Sequence, residues 1–127
     1  MRPFEEAVSA ALADLLRAGV PVRTLRVTTR ELVVARLERG PVGGEEVGDA
    51  VAAAARAACR LVREAGAPDD LVELVCRAAL EAVRGHGGTT ARWLGQARSA
   101  VERVLDELAR EGAEGRDRRW ITRVDRG

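Results

Sequence analysis

Val22-Arg23-Thr24-Leu25-Arg26-Val27-Thr28-Thr29-Arg30-Glu31-Leu32-Val33-Val34-Ala35-Arg36-Leu37-Glu38 is the stretch on which the fold class turns. Its first six residues alternate and are rich in β-branched side chains, which favours a strand. Leu32 to Leu37 reads as an antiparallel partner across a Thr28-Thr29-Arg30-Glu31 turn. The same four residues also spell a capping box that would start a short helix. The adjacent valines and the short loop favour the hairpin, with Val33, Ala35 and Leu37 on one face and Leu32 and Val34 on the other. A two-stranded hairpin is marginal in water, so a helix, another strand or a second subunit must cover it.

The segments around this stretch read as helices. From Pro3 to Ala18, Phe4, Val8, Ala11, Leu12, Leu15 and Leu16 share one face. Pro3 suits a first helical position, Gly19 a C-terminal cap, and Pro21 prevents continuation. Gly40 to Gly44 forms a linker too short to separate domains, so residues 1–127 read as a single domain. Glu45 to Ala65 places Val47, Val51, Ala54, Ala58, Leu61, Val62 and Ala65 on one face, with Asp49, Arg56, Arg60 and Arg63 opposite. Its run Ala50 to Ala55 is strongly helical and nearly smooth, so a neighbouring backbone can come close.

Gly66-Ala67-Pro68 breaks the chain, and Asp70 with Glu73 suggests a second capping box. From Asp70 to Arg84 the charges fall on one narrow stripe of Glu73, Arg77, Glu81 and Arg84. A helix so apolar elsewhere must be surrounded, which makes it the expected centre of the fold or of a subunit interface. After Gly85-His86-Gly87-Gly88, Thr89 to Glu111 carries an apolar stripe of Leu94, Ala97, Val101, Val104, Leu105 and Leu108. The polar tail 112–127 is either disordered or adds a strand over Arg119 to Val124. The expected architecture is therefore mainly α with a small β element (α+β). Four helices are joined by a β-hairpin between the first two, with the tail as an optional third strand.

Composition narrows the function classes. The 127 residues are 46% hydrophobic and 32% charged, which marks a globular chain. All the basic residues are arginine, and the net charge of +1 argues against a bulk polyanion-binding surface. No apolar run approaches the length of a membrane span, and the N-terminus does not resemble a signal peptide, so the expected location is cytoplasmic. Two cysteines and one histidine are too few for a zinc site, and no cofactor is indicated. Cys59 and Cys76 sit at equal distances from the 67–68 turn, which puts them at the same height of an antiparallel helix pair. In a reducing compartment they are expected to be packing thiols. No nucleophile lies beside a base and no Glu-x-x-His motif occurs, so no catalytic constellation is visible.

Three binding readings remain. Leu32, Val34, Leu74 and Leu80 are the expected oligomer interface, because one small domain would struggle to cover the hairpin and the Asp70–Arg84 helix. The leading function is accordingly a homo-oligomeric interaction, scaffolding or regulatory module, most simply a dimer. The second reading is nucleic-acid binding by the tail, where Arg116, Arg118, Arg119 and Arg123 surround Trp120. The third is a small anionic ligand at His86, Gly87, Gly88, Thr89 and Thr90, where a glycine-rich turn opens a helix N-terminus. That loop has no Walker lysine and follows a helix, so it matches neither nucleotide-binding fingerprint.

Overall fold

The computed structural model describes residues 2–39, 44–86 and 91–111, which form five helices. These are α1 (Arg2–Ala18), α2 (Val22–Leu37), α3 (Gly44–Ala65), α4 (Asp70–Gly85) and α5 (Ala91–Glu111). Among the described residues there is no strand, so the α+β class and the four-helix count are both corrected to five helices. The optional third strand fell on the tail, which lies outside the described residues.

The correction rests on residues 22–37. In place of a β-hairpin they form one continuous helix, with Leu25, Thr29, Val33 and Leu37 buried at every fourth position. Thr29 is enclosed without a polar penalty because its hydroxyl donates to the Leu25 carbonyl at 2.9 Å. Seven of the sixteen residues are β-branched, each disfavouring a helix by at most about 0.7 kcal/mol relative to alanine. Fully burying a leucine or valine returns about 1.5–3 kcal/mol, and three such side chains outweigh that local preference. Pro21, in extended conformation, opens the helix, and its carbonyl accepts from the Thr24 amide at 2.9 Å.

The helix boundaries follow local chemistry. Gly19 and Gly66 adopt positive φ after α1 and α3, a conformation in which glycine carries no Cβ strain. At the first of these ends, the Val20 amide donates back to the Leu15 carbonyl at 3.4 Å. The capping box suggested for α4 does not form as drawn. Asp70 is already the first helical residue, and Asp69 stands at the cap position without a side-chain cap bond.

The helix expected at the centre is also displaced. α3, rather than α4, packs against all four other helices. Val47, Ala50 to Ala55, Ala57, Ala58, Cys59 and Leu61 of α3 are buried, so its alanines face neighbours on nearly every side. The approach is close enough that a Cβ on Gly48 would sit 3.6 Å from the Gln96 carbonyl oxygen of α5. α4 lies against α2, α3 and α5 and keeps Arg77 and Arg84 exposed. A smooth alanine surface admits four neighbours, whereas the bulkier leucines and valines of α4 suit an outer position. α1 and α5 contribute Phe4, Val8 and Leu12, and Ala97, Val101, Val104, Leu105 and Leu108, to the same core. Among the described residues, no helix is long and apolar enough to cross a membrane.

Candidate functional site: an arginine groove over α3

One stripe of α3 is left without a covering helix. Arg56, Arg60 and Arg63 project from it at spacings of four and three residues, the repeat that keeps side chains on one face. α1 and α5 wall this stripe into a groove of about 150 Å³. Glu5 comes from α1, and Val104, Glu107 and Leu108 from α5, with Cys59 on the floor. The lining therefore joins three guanidiniums to two carboxylates.

The two carboxylates are held unequally. Arg60 donates to Glu5 in a part-buried pair, with Glu5 only 16% exposed. Arg56 reaches both Glu107 oxygens at 3.4 Å, and each of these side chains is nearly half exposed. Strong charge-assisted bonds run at about 2.7–2.9 Å, so the Glu107 pair is the looser one. The first pair ties α1 to α3, and the second ties α5 to α3 more weakly.

Elsewhere the polar groups are structural. Arg26 donates to Glu81 through two nitrogens, and Arg30 lies 4.0 Å from the same carboxylate, joining α2 to α4. Cys59 and Cys76 are both buried. Burial pushes the Cys76 thiol well above the usual range, and neighbouring Cys59 and Glu73 push it further. Among the described residues, no group of three or more His, Cys, Asp or Glu is placed to hold a metal ion. Within the same residues every buried side-chain nitrogen and oxygen has a hydrogen-bond partner.

The sequence-predicted sites fare differently. His86 is half-buried just after α4, where its amide donates to the Val83 carbonyl at 3.2 Å. Its ring lies 5.8 Å from that of Trp93, tilted by 33°, a contact that sequence reasoning did not foresee. Gly87, Gly88, Thr89 and Thr90 lie outside the described residues, as do Arg116, Arg118, Arg119, Trp120 and Arg123. Leu32, Val34, Leu74 and Leu80 are each partly buried and packed against the core of the same chain. At 100° per residue, Leu32 and Val34 stand about 160° apart around α2, and Leu74 and Leu80 about 120° apart around α4. The four do not share one face.

In the sequence, Arg56, Arg60 and Arg63 stand together on the side of α3 opposite its apolar face. A signal was present, since like charges at i and i+4 repel on an isolated helix. A stripe of three arginines therefore points to carboxylates supplied by other helices. No family model matches the chain, and neither does any curated protein or solved structure. The functional reading accordingly rests on the groove.

Proposed function

We propose that this chain is an interaction module that recognises an anionic group in the groove between α1, α3 and α5. The observation that supports this reading is the line of Arg56, Arg60 and Arg63 along one helix face at the groove, where Arg56 is held to Glu107 only by a long, half-exposed pair. Guanidiniums suit the task because each presents a planar fork of donors that matches the oxygens of a carboxylate or phosphate. Low-dielectric walls of Val104 and Leu108 strengthen such contacts relative to open water. At low ionic strength, phosphate, citrate and acetate are titrated while the backbone amide resonances of residues 56–63 are followed. At least one anion should move these resonances saturably, and the affinity should fall as salt is raised. If none of the three moves them, the groove is only a pair of helix tethers.

A second reading, self-association as a dimer, is favoured by Val22. It is the one large apolar side chain left exposed among the described residues, at 65%. Light scattering should give twice the chain mass at micromolar concentration, and Val22→Glu should shift it towards the monomer. A monomeric wild-type chain rejects this reading.

A further inference from the structure

Away from the groove, we infer that the seam where α2 meets α4 docks an acidic segment of another protein. Its carboxylates settle on Arg23, Arg30 and Arg84, and an apolar side chain on Val22. The charge on this seam is not balanced. Glu81 of α4 accepts from Arg26 of α2, with Nε at 3.3 Å, and has Arg30 4.0 Å away. One carboxylate therefore serves two guanidiniums, and both arginines stay about half exposed. Arg23 precedes Arg26 by one turn and Arg84 follows Glu81 by one turn, each a rise of about 4.5 Å. Both are exposed, and neither holds an ion pair among the described residues. Glu73, the other acid on this stripe of α4, is taken by Arg77. Four guanidiniums around one carboxylate leave a surplus of three positive charges, although the whole chain carries only +1.

The surroundings of this charge select the occupant. Val22, 65% exposed, stands one turn before Arg26 on the same face of α2. An apolar side chain beside arginines is the composition of a protein–protein contact, whereas a phosphate backbone makes no use of valine. A long polyanion would also meet the chain's 20 acidic residues, which a short acidic segment avoids. A second copy is the other candidate for Val22. In a symmetric pair the same patch meets itself, which sets the surplus charges against one another. Complementarity therefore favours a partner of opposite sign.

The full chain is titrated at low ionic strength with a short peptide of glutamate and alanine carrying one leucine, and with its glutamine counterpart. Amide resonances of residues 22–30 and 81–86 report binding. The acidic peptide should move them saturably, with affinity falling as salt rises, and the glutamine peptide should not. Replacing both free arginines, Arg23→Gln with Arg84→Gln, should weaken binding at least about fivefold at unchanged melting temperature. Glu81→Gln raises the surplus charge and should tighten binding about two- to fivefold, the reverse of what a merely structural ion pair would give. No response to the acidic peptide, an equal response to the glutamine peptide, or full affinity in the double variant overturns the assignment. So does a duplex oligonucleotide that binds these residues more tightly than the peptide, or a dimer whose partner copy covers Val22. Movement confined to residues 56–63 also overturns it, while leaving the arginine groove standing as the anion site.

Discussion

α3 carries eight alanines among its twenty-two residues, whereas α2 carries one alanine and seven β-branched residues among sixteen. α3 is enclosed by four neighbours, and its local preference and its burial favour the same conformation. α2 is fully buried only along the stripe of Leu25, Thr29, Val33 and Leu37, and there burial and local preference disagree. The stripe prevails because Leu25, Val33 and Leu37 each remove a whole side chain from water. Two consecutive helices thus reach the same backbone state by different balances. One is helical by composition and packing together, the other through the surface offered to it.

The contrast can be broken most forcefully in α3. Ala54 is fully enclosed, so Ala54→Glu must bury a carboxylate or force the helices apart. A loss of more than about 4 kcal/mol is expected, enough to remove the folded baseline from a urea titration. A folded variant with an ordinary transition would mean that α3 is not central. In α2, Leu37→Ala should cost about 2–5 kcal/mol in the same assay, as for other buried leucines. Native-state hydrogen exchange sharpens the comparison, because α2, anchored by one stripe, should lose protection before α3. Equal protection of both helices would show that the single stripe is no weakness.

The α3–α4 contact has a pH signature. The Cys76 thiol, pushed up by burial and then by Cys59 and Glu73, stays protonated in the folded chain. In the unfolded chain it ionises near pH 8.5. Above that pH the unfolded state binds fewer protons than the folded state, so stability falls as pH rises. This group should contribute a slope of about 1.4 kcal/mol per pH unit, and Cys76→Ala should remove it. Equal alkaline slopes in both proteins would place Cys76 in a more hydrated setting. The smallest effect is expected on the outer seam between α2 and α4. Glu81→Gln takes away the shared partner of Arg26 and Arg30. Because both arginines are about half exposed, the cost should stay below about 1 kcal/mol. A larger loss in thermal unfolding would mean that ion pairs, rather than the buried stripe, hold α2 in place.

The groove was legible only in part. The spacing of Arg56, Arg60 and Arg63 is written in α3 and places them together. Their partners Glu107 and Glu5 lie 51 and 55 residues away in the chain, and no local pattern announces those pairings. The expected interface shows the converse. Leu32 and Val34 were assigned to one face by a period of two, and a period of 3.6 sends them to different sides of α2.

By itself, the sequence determined the helices whose apolar residues recur at helical spacing, α1, α3, α4 and α5, and the glycine stops at Gly19 and Gly66. Periodicity and chain reversal are properties of a few consecutive residues, so they can be read without knowing the rest of the molecule. Only the tertiary structure decided that α2 is a helix, that α3 is the centre, and that Arg56 and Arg60 meet carboxylates from two other helices. Each of these depends on apolar area or opposite charge supplied from distant positions, and a β-branched segment takes whichever backbone state buries more against the surface it meets.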